Sequence, residues 1–131
     1  MIDITPLEKS VMDSLLDDTR EPFVTLSRQY GVASITERQP TGKGFFLFFS
    51  IPENVDRIDR NLSIKFGDVV AAIKGLDYGA GFILHVNNGA IDFLEGYSYD
   101  EPWPNCISEF TLSKDEGLTK KRDEAVKRFY E

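Results

Sequence analysis

The chain is short of the residues that carry most enzyme chemistry. Its 131 residues include one cysteine, one histidine and one tryptophan. One cysteine forms no internal disulfide, which suits a reducing compartment and leaves an intermolecular bridge open. One His and one Cys are too few nitrogen and sulfur ligands for a zinc site. Long hydrophobic runs are missing too. The longest, Gly44-Phe45-Phe46-Leu47-Phe48-Phe49-Ser50-Ile51, falls far short of the ~20 residues that span a bilayer. The opening Met1-Ile2-Asp3-Ile4-Thr5-Pro6 lacks the basic and then apolar layout of a secretory leader, so the sequence predicts a cytoplasmic protein with no membrane association.

Positive charge has the most uneven absence: residues 75–113 contain no Lys or Arg, yet carry Asp77, Asp92, Glu95, Asp100, Glu101 and Glu109. The net charge is −7, and residues 1–113 alone sum to −8, so the body of the protein is its acidic part. Such a surface repels phosphate backbones and favours a basic protein or a cationic ligand over nucleic acid. With 41% hydrophobic and 28% charged residues the composition is globular, and 131 residues suffice for one core and a single domain, 1–131.

Along the chain, Thr5-Pro6-Leu7-Glu8 reads as a capped helix start, followed by Leu7, Val11, Met12, Leu15 and Leu16 at helical spacing. Glu21-Pro22 begins a second helical pattern through Phe23, Leu26 and Tyr30, with Gly31 expected as its left-handed cap, so the two helices form a hairpin. Strand patterns follow: residues 32–39 and 45–51 around the turn Pro40-Thr41-Gly42-Lys43-Gly44, then 62–66, 69–73, 82–86, 91–99 and 109–112, with 52–61 a loop. Asn88-Gly89 is a two-residue hairpin turn, because a type I′ turn needs positive φ at both central residues. Ser113-Lys114-Asp115-Glu116 reads as a second capping box, and Leu118, Ala125, Val126, Phe129 and Tyr130 share a face of a C-terminal helix that Gly117 weakens, making 114–131 a helical extension. The expected fold is α+β: two N-terminal helices, then an antiparallel sheet of five to seven strands, with room for a C-terminal helix.

Within the acidic segment stand Tyr78, Phe82, Phe93, Tyr97, Tyr99, Trp103 and Phe110. Acid mixed with Tyr and Trp suits recognition of a basic protein, the rings supplying rigid area and the carboxylates steering encounter. The alternative is a solvated acidic edge over an aromatic core. A regular strand over 91–99 would put Ile91, Phe93, Glu95, Tyr97 and Tyr99 on one face, aiming a carboxylate along the apolar side. Tyr hydroxyls or backbone amides must then satisfy Glu95, or its pKa rises, or a bulge at Gly96 turns it outward. Tyr99-Asp100-Glu101-Pro102-Trp103-Pro104 is stiffened by two prolines, and Trp103 is either displayed to a partner or folded back to plug the end of the sheet. Gly79-Ala80-Gly81 lacks the third Gly and following helix of a dinucleotide loop, so close backbone packing explains it better. His85 faces away from Phe82, Leu84 and Val86, and nothing in the sequence brings it to Cys106 as a nucleophilic pair.

The run Tyr78-Gly79-Ala80-Gly81-Phe82-Ile83-Leu84, continuing through Asn88-Gly89, Leu94-Glu95-Gly96-Tyr97 and Glu101-Pro102-Trp103-Pro104, resembles a family of small uncharacterised bacterial proteins. The resemblance covers residues 65–112, more weakly the N-terminal helices, and not the Lys-rich stretch after Leu112. It implies a bacterial origin and a single domain, and carries no activity.

The residues therefore favour a non-enzymatic acidic interaction module, of the immunity or inhibitor kind, that binds a basic partner through Tyr78, Asp92, Glu95, Tyr97, Tyr99, Asp100, Glu101 and Trp103 without cofactor or metal. A small-ligand domain or unrecognised enzyme with a pocket around Glu95 is the alternative, and a homo-oligomer pairing exposed strand edges a third reading. A concave site at Glu95 favours a ligand, and an open surface there a protein partner.

Overall fold

A computed structural model of the chain describes residues 2–130, with side chains described through residue 128. Three helices and seven strands follow the expected order: α1 Pro6–Leu15, α2 Phe23–Gly31, β1 Ser34–Pro40, β2 Gly44–Ser50, β3 Ile64–Phe66, β4 Val69–Ile73, β5 Ala80–Asn87, β6 Ala90–Ser98, β7 Phe110–Lys114 and α3 Glu116–Tyr130. The strands form one antiparallel sheet in the order β1-β2-β6-β5-β4-β7, with β3 also paired to β5. The fold is α+β.

Local signals explain the clearest boundaries. The Thr5 Oγ1 accepts from the Glu8 amide at 3.2 Å while Glu8 Oε1 accepts from the Thr5 amide at 2.9 Å, so the box that starts α1 is closed on both sides. Asn88 and Gly89 take φ of 54° and 80°, the paired positive values of the tight β5–β6 turn. Two other ends depart from expectation. Gly31 is the last residue of α2 and keeps ordinary helical backbone, with Val32 (φ −122°) as its C-cap rather than a left-handed glycine. Helix α3 is capped by Asp115, whose Oδ1 accepts from the Leu118 amide at 3.0 Å. Ser113 and Lys114 are held in β7 opposite Val70 and Val69, so the expected box at Ser113 does not form. Of the residues expected along α3, Leu118 and Ala125 are half-buried, Val126 packs against the core, and the side chains of Phe129 and Tyr130 lie outside the described residues.

The core lies on one side of the sheet. Leu7, Val11, Met12 and Leu15 of α1 and Phe23 and Leu26 of α2 pack on Phe45, Leu47, Phe49, Phe82, Leu84, Val86, Ile91 and Leu94. Each large side chain removed from water there contributes roughly 1.5–3 kcal/mol. Gln29, fully buried in α2, orders this layer: its amide donates to the Asp56 and Gly89 carbonyls, both at 3.0 Å, and its Oε1 accepts from the Ile91 amide at 2.9 Å. Its side-chain bonds join the helix layer to the β5–β6 turn and to the loop at Asp56.

Helix α3 is fastened mainly by charge. Arg122 is 7% exposed and Asp68 fully buried; their side chains meet at 3.4 Å, with Thr119 Oγ1 donating to Asp68 at 2.8 Å and the guanidinium 4.6 Å above the Phe23 ring. Removing one partner of such a pair strands the other charge. Arg122→Leu is accordingly expected to cost about 3–5 kcal/mol in urea unfolding and Arg122→Lys distinctly less; a loss under about 1 kcal/mol for the leucine variant contradicts this anchoring. A second ion pair gives a pH signature. Hydrogen bonding to Arg20 holds the Asp18 carboxyl at about 2, below its ordinary 3.8. A depressed folded pKa stabilises above the unfolded value and is lost as acid rises through the folded one. The stability gap between wild type and Asp18→Asn should therefore be full at about pH 5 and close on acidification from about pH 4 toward 2. A gap independent of pH over that range counts against the assignment.

Candidate docking face

One register change decides what the opposite side of the sheet displays. From β5 to β6 the pairing passes from His85↔Phe93 to Val86↔Ile91, leaving Asp92 as an unpaired bulge residue. Ile91 therefore drops into the core, while Phe93, Glu95 and Tyr97 stand on the side away from the helices. The regular alternation expected for 91–99 fails by this one residue. The bulge is at Asp92, not Gly96, and Glu95 does not point into the core.

Cross-strand pairing builds rows on this outer side. Glu37, Phe48, Phe93, His85 and Lys65 form one row and Gln39, Phe46, Glu95 and Ile83 the next. A third carries Tyr97 over Gly81, where a Cβ would come within 2.4 Å of the tyrosine ring, so the glycine is the seat of that ring. Phe46, Phe48 and Phe93 form an aromatic cluster with centroids 5.3 to 6.3 Å apart. His85 stacks on Phe93 at 4.1 Å and its Nε2 lies 3.1 Å from Glu95 Oε1, so the partner of Glu95 is the imidazole and not a Tyr hydroxyl. Tyr97 and Tyr99 meet edge to face at 5.7 Å, and the Tyr97 phenol is pushed up by partial burial, with smaller contributions from Tyr99 and Glu95. Half-buried aromatics on an antiparallel sheet face depart from the polar outer face that water ordinarily covers.

Apart from Asp92 at the start of β6, the other residues expected at a binding surface lie at the sheet end where β6 finishes, and several are engaged internally. Glu101 accepts from the Asp77 amide at 2.8 Å and the Tyr78 amide at 3.0 Å, pinning the 75–79 turn. Asp100, at φ 65°, pairs with Lys43, which lowers its pKa. Asp92 accepts from the Asn87 side chain at 2.8 Å. Trp103 folds back: its amide donates to the Gly42 carbonyl at 2.8 Å and its ring meets Phe45 at 5.5 Å on the helix side of the sheet. Tyr78 and Tyr99 are 75% and 50% exposed. The structure thus brings Glu95, Tyr97 and Tyr99 together, leaves Tyr78, Asp100 and Glu101 in the adjoining end loops, and sends Trp103 to the other side. Phe46 and Phe48 belong to the face and were not anticipated there, while His85 stands on the outward side expected of it. The signal was the unbroken apolar run of β2, which marks a strand apolar on both sides rather than one.

A cavity of about 580 Å³ opens between the α1 start, the β1–β2 turn and the loop around Trp103, and a shallower depression of about 520 Å³ lies beside Ile73, Leu76, Tyr78 and Phe110. Glu95 lines neither. Among the described residues no group of three or more His, Cys, Asp or Glu side chains is arranged to hold a metal ion, and no helix is long and apolar enough to cross a membrane.

Fold and face together define a small α+β protein whose helices cover one side of an antiparallel sheet and leave an aromatic side open. No family model, no curated protein and no solved structure matches the chain.

Because Phe48 is only half-buried and Leu94 fully buried, Phe48→Lys should cost under about 1.5 kcal/mol in urea unfolding, whereas Leu94→Ala across the same strand pair should cost about 2–5. Equal losses for the two would mean that the face is already covered within the free protein.

Proposed function

We propose that the chain is a non-enzymatic binding protein that masks a basic protein partner, with the outer face of β2, β6 and β5 as its docking surface. The observation that carries this reading is the half-buried cluster of Phe46, Phe48 and Phe93 on a sheet side that no helix covers among the described residues, running toward the exposed Tyr99. Buried aromatic anchors supply most of the affinity at protein interfaces, each worth about 2 kcal/mol or more when well seated.

Charge selects the occupant. Glu37 stands in a row of this face and Asp92 at its bulge, neither with an ion pair among the described residues; Glu95 has only the histidine, and Lys65 is the one lysine in the rows. A basic partner satisfies these carboxylates and is steered to them. A second copy of the chain would instead set a net −7 surface against its own like. An immunity or inhibitor role fits such a surface, since masking needs area and charge complementarity but no catalytic group.

The test is affinity capture from the source cell with wild type and with a folded Phe48→Lys/Phe93→Lys variant. A net-positive protein held by wild type alone is expected, its dissociation constant rising about tenfold or more between 50 and 500 mM salt. Capture of the same proteins by both forms, capture only of an acidic protein or of the chain itself, or capture of nothing would overturn the reading.

A further inference from the structure

The cavity beside Trp103 is separate from the docking face. Its apolar wall is Phe45, Trp103, Leu7 and Ile107, and Arg38 and Glu8 also line it. At about 580 Å³ it has the size and the mixture of apolar wall and sparse polar groups typical of a small-molecule site.

Its walls are set in advance. Pro102 and Pro104 restrict the backbone on either side of Trp103, whose amide is tied to Gly42 at 2.8 Å. Phe45 lies against Gly96, where a Cβ would come within 2.3 Å of the ring, so only glycine admits the ring at that depth. Little side-chain freedom is then lost when a ligand enters.

Arg38 gives the cavity its polarity. Its Nε donates to Glu8 Oε2 at 2.8 Å, and its Nη2 donates to Glu8 Oε1 at 2.7 Å and to the Asp3 carbonyl at 2.8 Å. The Nη1 nitrogen makes no hydrogen bond among the described residues, so this one nitrogen of a rigidly held guanidinium remains for a ligand. The Leu7 amide, in the first turn of α1, likewise has no partner there. Glu8 and the neighbouring, more exposed Asp3 offset the guanidinium, so the cavity offers an anion two unpartnered donors, Arg38 Nη1 and the Leu7 amide, and no large net positive charge. Two such donors suit one negative charge and disfavour a phosphate dianion.

We propose that this cavity binds a small monocarboxylic acid with a flat apolar body, the carboxylate on Arg38 Nη1 and the body against Trp103 and Phe45. Charge-assisted hydrogen bonding to the acid replaces the water on the free guanidinium nitrogen, and the rings shed theirs onto the ligand.

Trp103 is the chain's only tryptophan, so its emission reports on this wall alone. Wild type is titrated with phenylacetate and with phenylacetamide, which has the same shape and no charge. A saturable change is expected with phenylacetate, with an apparent Kd about tenfold or more below that for the amide. Because removing Arg38 would strand the buried Glu8, the variants are Arg38→Lys, which keeps Glu8 paired while withdrawing the fork, and Ile107→Phe, which fills the cavity. With both shown by thermal melting to be folded, the first should bring acid and amide within about threefold of each other and the second should weaken both. No saturable change with phenylacetate, equal affinity for acid and amide in wild type, or an unaltered acid preference in Arg38→Lys overturns the proposal.

Discussion

The architecture depends on one asymmetry: all the apolar side chains that its helices contribute to the core press on the same side of the sheet. Leu7 to Leu15 of α1, Phe23 and Leu26 of α2 and Val126 of α3 meet the inward residues of β2, β5 and β6, and Gln29 locks that layer to the β5–β6 turn. The sheet is therefore closed on one side before its other side is considered. Strand β2 nevertheless carries phenylalanines outward as well as inward, with Phe46 and Phe48 on the open side and Phe45, Leu47 and Phe49 in the core. Burial of the inner set fixes the strand, and the outer set is left for something else to cover.

The bulge at Asp92 gives that outer side its composition. By inserting one unpaired residue it returns Ile91 to the core while keeping Phe93 in line with Phe48 and His85. Without it, either Ile91 would lie among the outer aromatics or Phe93 would be forced inward. Its second effect is to set Glu95 beside His85, with His85 Nε2 at 3.1 Å from the carboxylate. Glu37, Asp92 and Glu95 outnumber the single lysine of these rows, Lys65, which makes a basic occupant the better fit.

Much of the fold was legible in the sequence because its signals are local. The Thr5/Glu8 box, the Asn88-Gly89 turn and the glycine-rich turn between β1 and β2 each act over three or four residues, and each lies where expected. The misplaced features are those settled by distant partners. Ser113 looks like a cap until β4 claims it and Lys114 for pairing, which moves the start of α3 to Asp115. The Asp92 bulge has no glycine or proline to announce it, since it arises from fitting two strands of unequal demand. Glu101 and Asp100 read as free surface acids, yet the 75–79 turn amides and Lys43 hold them, a result of chain segments more than 20 residues apart in sequence. Trp103 had two open fates, and the hydrogen bond from its N–H to the Gly42 carbonyl with its ring on Phe45 decides for the inward one.

Site-specific photo-crosslinking tests the open face most directly. A benzophenone side chain placed at Phe48, on the face, is compared with one at Lys120, on the exposed side of α3, each in the source cell. The account predicts one dominant adduct with a basic protein from position 48 and none from position 120. Equal labelling from both positions, or a dominant adduct only from position 120, would contradict it.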